Sequence, residues 1–162
     1  VYTQIISLDT EKKDPVSYNN RGVAYYNTKQ YEKAIADLDT YIASKPADAD
    51  AVKKAVELRT SAELEVAGKA GPEAQIAALN KAIAADPQNP VHHLNAGAIY
   101  LNKLNDADKA VASFTKAIAL DGKNPQAYYS RAAAYAKKKD TANVVKDTSA
   151  ALAIKPDYTD AL

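Results

Sequence analysis

Pro15-Val-Ser-Tyr-Asn-Asn-Arg-Gly22 opens a pattern that continues through Tyr25, Ala34, Leu38, Tyr41 and Pro46. The pattern returns twice. Pro90 to Gly97 is followed by Tyr100, Ala110, Phe114, Ala117 and Gly122, and Pro125 to Ala132 by Tyr135, Val144, Thr148, Ala151 and Pro156. The starts at Pro90 and Pro125 are 35 residues apart, and the segments opening at Pro15 and Pro125 each close as 34-residue units. Self-similarity at such a period marks a repeat architecture. Each unit is one supersecondary element that cannot cover its apolar face alone, so neighbours must stack.

The punctuation assigns helices. Pro15, Pro90 and Pro125 suit the first turn of a helix, where the missing N–H costs nothing. Pro46, Pro87 and Pro156 suit positions just past helix ends. Ala34, Ile35, Leu38, Tyr41 and Ile42 recur at helical spacing, and Ala110, Val111, Phe114, Ala117 and Ile118 repeat that stripe. These signals predict helices over about 15–28, 31–44, 49–67, 72–85, 90–103, 107–120, 125–138 and 141–154. Gly22 and Gly97 fall inside helices, where each costs about 1 kcal/mol against Ala. A repeated cost of that kind predicts close helix approach with no room for a β-carbon.

Residues 49–89 form a longer segment of 41 residues. Seven extra residues are nearly two helical turns, so the apolar face drifts only about 20° and stacking survives. Its second half keeps Ile76, Leu79, Ala82, Ile83 and Pro87, while Gly68-Lys-Ala-Gly71-Pro72 reads as a helix stop followed by a Pro start. At the front, Tyr2-Thr-Gln-Ile-Ile-Ser-Leu-Asp9 mirrors Phe114 to Asp121 and reads as the closing helix of a partial repeat over 1–14. Residues 159–162 read as the start of a further helix. The expectation is one array over 1–162, with repeats at 15–48, 49–89, 90–124 and 125–158, as a window on a longer one.

Composition narrows the chemistry. The 21 basic and 20 acidic residues are interspersed and leave a net charge of +1. A nucleic-acid groove needs a basic stripe and a membrane-surface anchor needs a polybasic cluster; neither is present. No apolar run reaches the roughly 18 residues of a membrane-inserting helix. There is no Cys, so disulfides, thiol catalysis and thiolate metal sites are excluded. His92 and His93 point about 100° apart on a helix and cannot chelate one metal as an i,i+4 pair would; they read as surface residues near a helix start. Asp37, Asp39, Asp48, Asp50, Asp106 and Asp108 read as helix-end or polar-face carboxylates, with Asp48 and Asp106 suited to N-caps. No phosphate loop, dinucleotide loop or nucleophile elbow occurs. The expectation is a chain without catalytic residues, metal or cofactor, and not an enzyme.

Tyr18, Gly22, Tyr25, Ala34, Leu38 and Pro46 match the pattern of the tetratricopeptide repeat family, with Tyr41 where that family usually has Ala. The segment at Pro125 keeps Tyr128, Ala132, Tyr135, Ala151 and Pro156, with Val144 and Thr148 departing from it. The chain therefore resembles that family. The resemblance implies an all-α fold, a right-handed superhelix of antiparallel helix hairpins (an α-solenoid). It also implies a protein-interaction scaffold whose opening helices line a concave groove for a peptide or protein partner.

By the same resemblance the groove positions fall on Asn19, Asn20, Val23 and Asn27, then Lys53, Lys54 and Glu57. They continue with Leu94, Asn95, Ala98 and Asn102, and with Tyr129, Ser130, Ala133 and Lys137. The Asn side chains offer donors and acceptors to a peptide backbone, and the lysines suit an acidic side chain or terminal carboxylate. Tyr18, Tyr25, Tyr100, Tyr128 and Tyr135 read as packing residues; Tyr26 and Tyr129 lie off the stripe and suit partner stacking. A two-carboxylate clamp used by one subfamily on chaperone tails is incomplete here: Asn20 matches, Lys54 stands for an Arg, and Asp50 stands for a Lys. The alternative function is a structural module that self-associates end to end into a homo-oligomer through its repeat edges.

Overall fold

The computed structural model describes residues 14–157. Among the described residues eight helices follow one another: α1 Pro15–Asn27, α2 Tyr31–Ala43, α3 Ala49–Ala70, α4 Pro72–Ala85, α5 Pro90–Asn102, α6 Ala107–Leu120, α7 Pro125–Lys137 and α8 Thr141–Ile154. The described residues hold no strand. The expected partial repeat over 1–14 and the further helix at 159–162 fall outside them, save Asp14. The described residues divide into two compact units between Ala78 and Leu79, inside α4.

Six of the eight helices among the described residues start at a side-chain cap. Pro15, Pro90 and Pro125 occupy the first turns of α1, α5 and α7. The residue before each is an N-cap: Asp14, Asn89 and Asn124 accept from backbone N–H groups that would otherwise lack partners. Asp48 caps α3 through Ala51 N (2.9 Å) and Asp106 caps α6 through Lys109 N (3.0 Å), as expected of both. Asp140 does the same for α8 through Asn143 N (3.2 Å).

The hairpin turns are built alike. In the first, Gln30 N donates to Tyr25 O (2.8 Å) and Lys29 N to Tyr26 O (2.9 Å), with Lys29 at φ 59°. In the last, Asp140 N donates to Tyr135 O (3.0 Å) and Lys139 N to Ala136 O (2.9 Å), with Lys139 at φ 60°. This is the left-handed helix stop that satisfies the last carbonyls. The turn between α5 and α6 carries one more residue: Leu104 N donates to Ile99 O (3.1 Å), Asp106 N to Tyr100 O (2.8 Å), and Asn105 takes φ 53°. The single residue that makes the 90–124 repeat 35 long is absorbed there.

In the first unit α1 pairs with α2, α2 packs along α3, and α1 also meets α3. Leu38, Tyr41 and Ala55 form its core cluster, with Tyr18, Ile42, Ala51, Val52 and Leu58 packed against them. In the second unit α5 pairs with α6, α6 with α7 and α7 with α8, while α5 also meets α7. Its cluster is Leu101, Ala110, Phe114 and Ala134, flanked by Leu94, Tyr100, Val111 and Ala133. Contact of an opening helix with its own partner and with the opening helix of the next hairpin is the signature of stacked hairpins.

The interior glycines behave as expected. A β-carbon on Gly97 would lie 2.5 Å from Phe114 Cε1, and one on Gly22 would lie 2.9 Å from Leu38 Cγ. The repeat at 125–158 carries Ala132 at this position, and the residue matching Leu38 and Phe114 is the smaller Thr148. Bulk on one helix is traded against bulk on the other.

Three expectations need correction. The helix from Ala49 runs through Gly68 to Ala70 and stops at Gly71, at φ 118° and ψ 174°. Gly68 does not end it; its missing side chain leaves room for Gln75, whose Nε2 donates to Leu64 O (3.1 Å). His92 is not a surface residue but is 4% exposed. It shares one face of α5 with Ala96 and Ile99, both buried, at i, i+4 and i+7. Asp37 is not on a polar face: it is buried beside Leu38, and its partner lies on α1.

Candidate functional site

Arg21 is that partner. Its Nε donates to Asp37 Oδ2 (2.5 Å) and its Nη2 to Asp37 Oδ1 (2.6 Å), joining α1 to α2 by two parallel bonds. Tyr18 and Tyr25, one turn to either side, place their rings 5.6 and 5.7 Å from the guanidinium carbon. The hydrogen bonds to Asp37 push the Arg21 pKa up, and burial opposes them.

This pin sets the rotation of α1. Residues two places from Arg21 lie about 200° around the helix. Asn19 and Val23 therefore face away from α2, and on that side α3 stands. A cleft of about 540 Å³ opens there. Asn19 and Val23 line it from α1, and Asp48, Asp50, Ala51, Lys54, Ala55, Glu57, Leu58 and Ser61 from α3 and its cap. Ala51, Ala55 and Leu58 recur at i, i+4 and i+7 and form an apolar floor continuous with the core cluster. Asp50, Lys54 and Glu57 are exposed on the rim. Among the described residues these three form no ion pair. The Asp48 carboxylate already holds Ala51 N.

Four of the sequence-predicted groove residues, Asn19, Val23, Lys54 and Glu57, thus meet at one cleft. Asn20, Asn27 and Lys53 belong to the same helices but not to its lining. Sequence reasoning missed Asp48, Asp50, Ala51, Ala55, Leu58 and Ser61. The signal for the floor was present in the spacing of Ala51, Ala55 and Leu58.

The second unit places its predicted residues differently. Leu94 and Ala133 pack against the core cluster. Lys137 Nζ donates to Leu101 O (2.7 Å) and Asn105 Oδ1 (3.0 Å), so this ammonium serves the C-terminal end of α5. Asn95, Tyr129 and Ser130 are half-buried and Asn102 is exposed. Tyr26, in the first unit, is half-buried and sits edge-on to Tyr31 with ring centroids 5.5 Å apart. Here too an arginine pins the opening helix: Arg131 Nε and Nη2 donate to Asp147 at 2.7 and 2.8 Å. Arg131 lies between Tyr128 and Tyr135 at 5.9 and 6.0 Å. The Asp147 hydrogen bonds raise its pKa, against burial.

Among the described residues, no group of three or more His, Cys, Asp or Glu is placed to hold a metal ion. No described helix is long and apolar enough to cross a membrane.

Two repeat units match family models. Residues 15–48 match a model described as a tetratricopeptide repeat, and residues 101–139 match one described as a TPR repeat. Both matched segments of this chain are tetratricopeptide repeats. Solved tetratricopeptide-repeat structures share its fold. The crystal structure of YrrB, titled a TPR protein with an unusual peptide-binding site, superposes with a TM-score of 0.65 at 18% identity, covering 99% of this chain and 77% of that one. The crystal structure of MamA gives a TM-score of 0.69 at 21% identity, covering 96% of this chain and 85% of MamA. The first TPR of Spaghetti (RPAP3) bound to the HSP90 peptide SRMEEVD gives 0.50 at 19% identity, over 93% of this chain and 86% of that one. At these identities the likeness is one of fold. The comparison with curated proteins gives no match.

Proposed function

We propose that this repeat protein is an interaction scaffold, not an enzyme, and that its first unit holds an extended peptide in the cleft between α1 and α3. The observation that carries this reading is the composition of the cleft. Its floor, Ala51, Ala55 and Leu58, is apolar, and its rim is polar with side chains not engaged in ion pairs. A segment laid across it would bury apolar atoms on the floor while Asn19 meets its backbone with both a donor and an acceptor. Two solved structures of this fold carry peptide binding or a bound peptide in their titles, which makes the reading consistent with the fold.

Selection of a displayed library of random dodecamers on the immobilised protein tests it. Peptides recovered on the wild type should bind the double variant Asn19→Ala with Val23→Ala about tenfold more weakly, near 1.4 kcal/mol. They should bind Asn20→Ala with Asn27→Ala unchanged, because those residues lie outside the lining. Failure to recover any peptide, or equal losses in both variants, would reject the cleft.

A further inference from the structure

We infer that the segment held in this cleft is cationic, carrying Lys or Arg side chains over α3, and that acidic segments are refused; the inference rests on the cleft being the binding site. The lining contains three carboxylates, Asp48, Asp50 and Glu57, against one ammonium, Lys54. Asp48 is committed to the first turn of α3 through Ala51 N, where the helix end offsets its charge. Asp50 and Glu57 hold no backbone N–H, although Asp50 also sits in the first turn of α3, and neither is in an ion pair with Lys54 or with any other described residue. The lining therefore keeps an excess of negative charge beside an apolar floor.

Spacing sharpens the choice. Asp50 and Glu57 are seven residues apart on α3, about 10.5 Å along its axis. An extended peptide covers that in roughly three residues, so one short segment reaches both carboxylates. Lys54 lies on the same stripe between them, and the apolar floor beside it, roughly 100° around α3, suits the aliphatic stems of Lys and Arg, which lie along apolar surface and carry their charge to a polar edge. An acidic segment would set like charges against both carboxylates and gain only Lys54. Like-charge juxtaposition at an interface suppresses wrong partners, alongside the attraction that selects right ones.

The test uses the same random dodecamers and reads their charge. Peptides enriched on the wild type should carry more Lys and Arg than Asp and Glu. A synthetic copy of the best should weaken about tenfold on the double variant Asp50→Asn with Glu57→Gln, and should weaken as salt rises from about 0.05 to about 0.5 M. Lys54→Gln should tighten it. Enriched peptides that are neutral or acidic, or undiminished binding to the double variant, would overturn the inference. If such peptides still depend on Asn19 and Val23, the cleft reading stands without it. Recovery of no peptide at all removes both.

Discussion

Arg131 and Asp147 reproduce, 110 residues further along the chain, the bridge made by Arg21 and Asp37. In both pairs the arginine sits on the opening helix, the carboxylate on the closing helix, and 16 residues separate them. In both, tyrosines flank the guanidinium. The repeat at 90–124 has Ala96 at the matching position of α5, and there Gly97 lies against Phe114.

The bridge is a two-sided liability. Asp147 has 2% of its side chain exposed and Arg131 15%. Asp147→Ala would leave a half-buried guanidinium without its carboxylate. The expected loss is roughly 3 kcal/mol, the lower part of the range for a broken buried pair. Arg131→Met combined with Asp147→Leu should recover most of it, since an apolar pair of similar volume carries no desolvation cost. Urea midpoints followed by circular dichroism read both. A double variant as unstable as the sum of the single ones would contradict the account.

The glycine contacts make a graded prediction. Gly97→Ala gains helix propensity of about 1 kcal/mol but drives a methyl group onto the Phe114 ring. Overpacking of that kind costs typically 1–3 kcal/mol, so a net loss near 1 kcal/mol is expected. Gly22→Ala should cost less, because its clash is with the more adjustable Leu38 side chain. Gly97→Ala with Phe114→Leu should regain stability. Thermal denaturation of the three proteins would show the order, and a stabilised Gly97→Ala would contradict it.

Lys139 adopts φ 60° at the turn between α7 and α8. A non-glycine residue in the left-handed region carries a conformational cost of about 1 kcal/mol. Lys139→Gly should therefore stabilise the second unit by several tenths to about 1 kcal/mol, after the entropy that glycine adds to the unfolded chain. An unchanged or lowered urea midpoint would contradict this.

Acid should loosen the helix starts. The side-chain bond from Ser17 holds the Asp14 pKa below its ordinary 3.8, and the bond from Asn143 does the same for Asp140. For Asp106 the backbone N–H of Lys109 is the main cause. Each pKa is depressed on folding, so its stabilisation is fully present above the ordinary value and is lost as pH falls through the lower folded one. Stability should thus decline below about pH 4. The triple variant Asp14→Ala, Asp106→Ala, Asp140→Ala should be less stable at pH 7 and show a shallower acid decline. Equal acid slopes for variant and parent, from urea midpoints at each pH, would contradict the capping account.

Helix boundaries were legible because Pro starts and apolar spacing act within one turn of the residues that carry them. The end of α3 was not, since Gly68 and Gly71 look alike in sequence. Only Gly71, directly before Pro72, takes the positive φ that stops the helix. The buried pair was misread for a similar reason. Asp37 is charged, so it was placed on a polar face, although it adjoins Leu38 on the buried stripe. The matching spacings of Arg21 to Asp37 and Arg131 to Asp147 were the signal that could have found it. His92 likewise shares the spacing of Ala96 and Ile99. For the site, the resemblance supplied positions without their rotation. The pins on α1 and α7 determine which of those positions face a cleft and which face the core, and that depends on contacts between helices.

The most direct test of the central claim is amide chemical-shift mapping of the isotope-labelled protein titrated with the tightest library-derived peptide. The account predicts the largest shifts at Asn19, Val23, Lys54, Glu57, Leu58 and Ser61. Shifts concentrated on α5 to α8, with those six amides unmoved, would contradict it.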